Sequence, residues 1–596
     1  MQKKKIFPIA VLVATFAVYF SFGISGISKF VTTDEQFWHY TRIPQYWNAV
    51  KEGKFKQTRI NDKPGVSLAL VSGPAFFWAD PDSQRIKDDK VLDSYRLENN
   101  GKFYAAFRLP LLFANALLLL YLFWVIRKIS NEWAALWSTA FIGLSPVLLG
   151  ISRISNPDAL LWSFSAAAIF SYFALLKTSE RKFIFLTALF TGFALLSKYV
   201  ANILFIYFFI SLFSYAAFKS GKDFDLIDFL KKQIKNFFLV FAGALAFFSV
   251  FMPAVFLKPK HLYAGTIGFS GIRPFVLPIS FFFLVVLADL YFQKGKFSAL
   301  IFSWANKYKA WILRMALIPA FFLFSFTAAN WISGSKMMPL GHIPIDARSS
   351  DAFVAGTSLL EKAVLEAYPF VFSLTPLVLI LMLALFLRSI LKKSDADADF
   401  FYFSISSFIL IFLIGGIFSD LLLTPRYMVM LLPLAGFLAS LVMYQFCEKY
   451  IRKGILAAGI ISVFVLLSGI ISLWNIKPFY YNYASSLLPQ KYVLSNAWGF
   501  GGYEASQYLN GLPDKDKITV WSDYRGVCEF SRFRCIIARK YDKERYPVDY
   551  YVLTRRGQSR TNDALLKKFE NAGISPEWEL FIDGRPGNFV KVYKSL

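Results

Sequence analysis

Cysteine and histidine are scarce, three of each in 596 residues. That leaves little material for a Cys/His metal cluster or a disulfide scaffold. Charge is scarce as well, at 17% of residues against about 25% in an ordinary soluble domain. The acidic sign is the scarcer one: 39 Asp and Glu stand against 65 Lys and Arg, a net charge of +26. No internal repeat and no low-complexity tract is present. What fills the chain is apolar. Hydrophobic residues make up 56%, and 67 residues are Phe. The length would suit roughly three or four soluble domains, but this composition excludes them. It specifies a multispanning membrane protein.

A bilayer core needs about 20 apolar residues per crossing helix. Thirteen runs qualify, near 6–28, 104–126, 133–152, 157–176, 183–197, 199–218, 237–257, 276–293, 310–330, 369–388, 400–420, 427–446 and 454–474. The fifth is short and suits a broken or tilted pair with the sixth. The first reads as a signal anchor, since it is long and lacks a clear small-residue cleavage site.

Lys and Arg collect in cytoplasmic loops. The chain begins MQKKK and then enters the first run, which predicts a cytoplasmic N-terminus. Alternate loops are basic as that requires: Arg127-Lys128, KTSERK (177–182), Lys231 to Lys235, Lys294 with Lys296 and Lys307, Arg388 with Lys392-Lys393, and Lys449 with Arg452-Lys453. Much of the positive charge is therefore topological, and nucleic-acid binding is excluded on that ground. An odd number of spans puts the C-terminus outside. Segments 29–103, 258–275, 331–368 and 475–596 then lie outside, and 223–238 reads as an interfacial helix on the inner side.

The expected architecture is an all-α polytopic membrane domain over 1–474, with about thirteen helices, followed by a small extracytoplasmic α/β domain over 475–596. Strands are expected at 518–522, 534–539, 549–554, 577–582 and 589–594, with a helix at 562–573. Cys528 and Cys535 are placed to close a small loop if the compartment is oxidising, or to remain two thiols in a hairpin.

Charged residues cluster at the outer ends of the runs. Asp34 and Glu35 open the first outer segment, in TTDEQFWHY (32–40). A carboxylate there suits a general base, and equally a solvated cap. Lys63 sits on a Lys-Pro-Gly turn (63–65), where a lysine suits a phosphate. Arg153 and Asp158 flank the start of the fourth run, and Asp158 also suits a helix first turn. Lys198 falls between the fifth and sixth runs, and Arg426 opens the twelfth. Ionisable residues in spans often mark binding sites, while those near span ends can snorkel. Gathered on one face, these cations and acids suit transfer of a sugar from a polyprenyl phosphate. Cations would hold the leaving phosphate, a carboxylate would take the acceptor proton, and helices would groove the lipid. A divalent metal is possible but not required; Asp34, Glu35, His39 and Asp158 could approach one ion. Gly499, Gly501 and Gly502 do not make a dinucleotide fingerprint, since they follow a span rather than a strand.

In order, the acidic pair, the Asn-x-Lys-Pro stretch (61–64), the Arg…Pro-Asp before the fourth run, the Ser-Lys-Tyr (197–199), the Arg-Tyr with Leu-Leu-Pro (426–433), KPFYYNY (477–483) and the Trp-Gly segment (498–502) resemble the GT-C membrane glycosyltransferases. The branch they resemble includes protein O-mannosyltransferases and the lipid A aminoarabinose transferase. That resemblance implies Asp34 as catalytic acid with Glu35 as companion and Asp158 as a second acidic position. It implies Lys63 on the donor phosphate, with Arg153, Lys198 and Arg426 as further candidates; His39, in the same stretch as the acidic pair, is a substrate-binding candidate beside them. It implies a polyprenyl-phosphate-sugar donor and a glycolipid, glycan or protein acceptor; the location expected for the chain is the plasma membrane. No stretch of this sequence resembles the sugar-binding-like domain usual in the protein O-mannosyltransferases, and the resemblance does not extend to the tail after 515. A transporter without chemistry and an oligosaccharyl-type transferase with a pyrophosphate-linked donor are the alternatives. The first predicts inverted repeats and midplane charges, the second a diphosphate requirement.

Overall fold

The computed structural model describes residues 2–80, 91–92, 97–219, 224–268, 273–340, 357–391, 396–418, 423–451, 455–537 and 547–595. Among these, nine helices are long and apolar enough to cross a membrane. Glu132–Gly143 and Pro146–Ser152 form a bent pair, turning by 63° at Leu144 and Ser145, and make a tenth crossing when counted as one span. Pro146 lacks the amide hydrogen that would continue the first helix and begins the second. The other three expected runs are also helical. Arg181–Ser197 and Pro376–Leu391 are short, at 17 and 16 residues, and Leu432–Ile451 ends in a polar turn. The basic loop residues Lys392, Lys393, Arg452 and Lys453, and positions 538–539, lie outside the described residues.

One expectation is corrected. Residues 226–238 do not form a separate interfacial helix. The Asp225 carboxylate caps the Asp228 amide at 2.9 Å, and the helix then runs unbroken from Leu226 to Phe251. No proline or glycine breaks it before residue 243, so its lysines ride the exposed face of one long helix.

The centre of the bundle is Asp158–Thr178, buried along its whole window. Leu97–Ile129 and Arg181–Ser197 pack against it. Its small residues, including Ala166, Ala167, Ala168 and Ala174, admit close neighbours. The first helix, Gln2–Ile24, lies against Glu132–Gly143 and Ile455–Ile476.

The C-terminal part carries a six-stranded sheet in the order β1-β3-β2-β4-β6-β5. The strands are β1 (Val91–Leu92), β2 (Thr519–Ser522), β3 (Arg534–Ile536), β4 (Tyr550–Thr554), β5 (Trp578–Phe581) and β6 (Phe589–Lys594). Strand β2 is parallel to β3 and β4, and the remaining pairs are antiparallel. Strand β1 comes from the first long loop, so the sheet ties that loop to the C-terminal part. Alternate residues serve two cores, as the period of a strand requires. Val520, Tyr550, Val552, Val590 and Val592 join the core continuous with the helical bundle. Trp521, Tyr551, Leu553, Phe589 and Tyr593 pack under the helix Asp563–Asn571 with Leu566 and Phe569. Cys528 and Cys535 are joined by a disulfide.

Candidate functional site

The chain leaves the first helix and reaches Asp34, which precedes a short helical turn (Glu35–Phe37), a wider turn (Trp38–Arg42) and the helix Ile43–Lys51. Asp34 and Glu35 point to different places. The Asp34 carboxylate is one-third exposed, and its Oδ2 accepts from Arg426 Nη1 at 3.0 Å. Glu35 is sealed. Its two oxygens accept from Arg108 Nε and Nη2 at 2.8 and 2.6 Å, from the Thr32 amide at 2.8 Å and from the Ser155 amide at 2.9 Å. Burial alone would raise the Glu35 carboxyl. Arg108's charge and hydrogen bonds override it and hold the group below the usual carboxylate range.

Asp158 opens the central helix directly after Pro157, as its sequence predicts. It is wholly buried, and both oxygens are occupied: Lys198 Nζ donates to Oδ1 at 2.9 Å and Arg426 Nε to Oδ2 at 2.6 Å. Arg426 Nη2 also donates to Asn156 Oδ1 at 3.3 Å. Arg426 thus bridges two acids from distant parts of the chain, and its guanidinium lies 4.9 Å from the Trp498 ring centroid. Lys198 adopts an extended conformation between the helix Arg181–Ser197 and the turn Tyr199–Asn202. Its ammonium sits 4.5 Å from the Tyr427 ring. Among these four charged groups, Asp34 and Arg426 retain the most exposure, 33% and 23% of their side chains.

The Lys-Pro-Gly turn is brought to the same place. The Gly65 amide donates to Ser197 O at 3.2 Å, and Ser67 Oγ lies 2.6 Å from Ser197 Oγ. Gly65 has φ +65°, and a Cβ there would run into the Trp38 ring and press on Pro157. Only glycine allows that approach. Lys63 is exposed two residues earlier.

Three sequence expectations are corrected here. Glu35 is not available as a catalytic companion, because its acceptor sites are consumed by Arg108 and two amides. Arg153 makes no hydrogen bond or ion pair with Asp34, Glu35 or Asp158. It is buried, donates to Ser25 O at 2.8 Å and Phe22 O at 3.4 Å, and sits over the Phe30 and Tyr480 rings. It fastens the end of the first helix. His39 does not bond to the Asp34, Asp158, Lys198 and Arg426 cluster either. It is buried among Phe103, Tyr104 and Phe107, with ring centroids 5.7, 5.1 and 4.6 Å away, and neither nitrogen has a hydrogen-bond partner. Burial pushes its imidazole down to about 3. Asp34, Glu35, His39 and Asp158 therefore do not converge on one point. Among the described residues, no group of three or more His, Cys, Asp or Glu side chains is placed to hold a metal ion.

Sequence reasoning missed Arg108, Asn156, Tyr427 and Trp498. Arg108 had a readable signal, an arginine inside an apolar run, AAFRLPLL (105–112). Asn156, Tyr427 and Trp498 lie within the stretches that carry the family resemblance, but their individual roles depend on neighbours far along the chain.

A cavity of about 180 Å³ lies under the turn that follows Lys198. Asn202 and Thr266 meet one part of it, and Phe205, Phe237, Phe241 and Phe283 line the rest.

Residues 97–256 match the family model described as dolichyl-phosphate-mannose-protein mannosyltransferase. This stretch includes Arg108, Arg153, Asp158 and Lys198, and it bears out the resemblance read from the sequence. No curated protein matches by sequence. Among solved structures, the Archaeoglobus fulgidus oligosaccharyltransferase in the apo form is similar at 12% identity, with a TM-score of 0.45, over 93% of this chain and 70% of that one. The same organism's AglB in complex with an inhibitory peptide and a dolichol-phosphate is similar at 10% identity and a TM-score of 0.44, over 93% and 70%. ArnT from Cupriavidus metallidurans bound to undecaprenyl phosphate is similar at 11% identity and a TM-score of 0.36, over 98% and 97%.

Proposed function

We propose that this multi-pass membrane protein is an inverting glycosyltransferase. It takes a sugar from a polyprenyl monophosphate and gives it to a hydroxyl on a glycolipid, glycan or protein, on the outer face of the plasma membrane. The N-terminus is cytoplasmic on this reading. Residues 1–474 form the membrane domain that carries the site, and 475–596 form the extracytoplasmic domain above it.

The observation that carries the reading is the Arg426 bridge. One guanidinium spans a buried acid with both oxygens committed and a second acid that stays accessible. Asp34 is then the base and Asp158 a positioning residue that holds Arg426 and Lys198. The acceptor oxygen attacks the anomeric carbon, and a C–O bond forms on the face opposite the phosphate. The C–O bond to phosphate breaks, its electron pair leaves on the lipid monophosphate, and the acceptor proton passes to Asp34. Arg426 and the exposed Lys63 stabilise the charge that develops on the phosphate. Lys198 shares the Asp158 carboxylate with Arg426. The Phe-lined cavity beyond Lys198 suits an isoprenoid segment. The family match over 97–256 supports a lipid-monophosphate donor in particular, because the family is described by one, dolichyl-phosphate-mannose.

The test is release of lipid phosphate from a panel of radiolabelled polyprenyl-monophosphate sugars by the purified protein, with Asp34→Asn alongside. Release that vanishes in a folded variant supports both donor class and base. No release from any monophosphate, with turnover of a pyrophosphate-linked donor, would move the protein to the oligosaccharyl-type reading. Lipid flux without chemical change would make it a transporter.

A further inference from the structure

A second and larger cavity lies away from the charge cluster. It measures about 640 Å³ and sits between the helices Pro376–Leu391 and Ile455–Ile476, beneath the C-terminal part. Its lower wall is apolar and opens sideways: Ile380, Phe464 and Ile471 each leave more than half of their surface exposed. Its upper wall is polar, with Asn475, Tyr483, Ser486, Gln490, Asp583 and Arg585. An apolar trough open to the bilayer and closed by a polar roof is the shape of a lipid site rather than of a soluble-ligand pocket.

The roof's charge decides which lipid. Arg585 is the one cation among the lining residues, and four of its N–H bonds are spent. Nε donates to Asp583 at 3.0 Å, Nη1 to Pro489 O and Tyr492 O at 2.9 and 2.8 Å, and Nη2 to Leu488 O at 3.2 Å. A guanidinium has five such donors, so almost nothing remains for a phosphate. Asp583 neutralises it and keeps some exposure, 16% of its side chain. What the roof offers a headgroup is one carboxylate and several neutral hydroxyl and amide groups. That set suits a ligand rich in hydroxyls and bearing no negative charge.

We infer that this cavity binds a membrane lipid with an uncharged, hydroxyl-rich headgroup, a glycosyl lipid, at a site separate from the donor phosphate. Its roof is continuous with the charge cluster. Tyr483 of the roof directly follows the turn Tyr480–Asn482, whose Tyr481 ring lies 5.2 Å from Trp498, the residue that faces Arg426. On the transferase reading, and resting on it, the cavity is where a lipid-borne acceptor is held. Binding itself does not depend on that reading.

The test uses the full chain in phosphatidylcholine nanodiscs with three tail-diazirine probes: a hexosyl-diacylglycerol, a phosphatidic acid and a phosphatidylethanolamine. Adducts are located by peptide mass spectrometry. The hexosyl probe is expected to label Pro376–Leu391 and Ile455–Ile476 about tenfold more than phosphatidic acid does. Ile471→Trp, which fills the trough from its exposed side, should abolish that labelling while the melting temperature stays close to that of the wild type. Asp583→Asn keeps an acceptor for Arg585 and tolerates the left-handed backbone at φ 57°; it should narrow the preference against phosphatidic acid. Equal labelling by all three probes would reduce the cavity to an annular lipid position. Phosphatidylethanolamine labelling equal to the hexosyl probe would overturn the hydroxyl assignment, and labelling unchanged by Ile471→Trp would overturn the location.

Discussion

Asp34 and Glu35 are neighbours in the chain and opposites in the fold. Each meets an arginine from a distant element, Arg426 for Asp34 and Arg108 for Glu35. The Glu35–Arg108 pair is dry, bidentate and completed by two backbone amides. The Asp34–Arg426 pair rests on a single hydrogen bond and remains partly exposed. The lesson is that a charged pair becomes structural when the fold fills its bonding capacity. It stays available for chemistry when the fold leaves capacity open.

Substitutions can break this comparison, and the largest effect is expected on turnover. Asp34→Asn should lower the rate of transfer by about 10²–10⁴-fold, because the base is lost. Its melting temperature should stay close to that of the wild type, since Arg426 keeps Asp158. A large loss of stability in that variant would place Asp34 with Glu35 instead. Glu35→Gln should show the reverse pattern, destabilising the protein by about 3–5 kcal/mol by leaving Arg108 buried without its counter-charge. Fluorescence-detected thermal unfolding in detergent would measure it.

A smaller effect is expected when the open cluster is loosened rather than emptied. Arg426→Lys keeps the charge but cannot bridge two acids and Asn156 at once. The expectation is a rise in donor KM of about tenfold, with stability little changed. An unaltered KM would remove Arg426 from the phosphate. Reduction of the Cys528–Cys535 bond should cost about 2–3 kcal/mol, from the entropy of the small loop it closes. Comparing melting with and without reductant would check this.

The smallest effect at neutral pH is expected at His39. His39→Phe should leave activity within about twofold and stability unchanged or slightly raised, since neither ring nitrogen has a partner to lose. The pH dependence sharpens the point. With the folded imidazole held at about 3, the unfolded chain takes up its proton first. The resulting stability is full above the ordinary histidine range near 6.5 and is lost as pH falls from there toward 3. Removing His39 should flatten that part of the curve, and unchanged melting profiles across pH 4–7 would refute its burial as a neutral ring.

Much of the fold was legible in the sequence because span length and strand alternation are local properties. All thirteen apolar runs are helical, and five strands and a helix of the C-terminal part fall where short β-rich runs predicted them. Asp158 after Pro157 and Lys198 between two runs were readable for the same reason. The separate inner helix was misread because a basic surface looks the same on an interfacial helix as on the end of a long one.

What the sequence determined by itself was the solvent of each segment: twenty apolar residues must leave water, and alternating residues must cover two faces of a sheet. It also put the charged residues at span ends, where they cost least. What only the tertiary structure decided was the meaning of each charge. Arg426 reaches Asp34 across 392 positions of sequence, and Arg108 reaches Glu35 across 73. Whether a carboxylate is exhausted or available depends on such partners and on the water they exclude. Those are properties of packing, and no spacing along the chain encodes them.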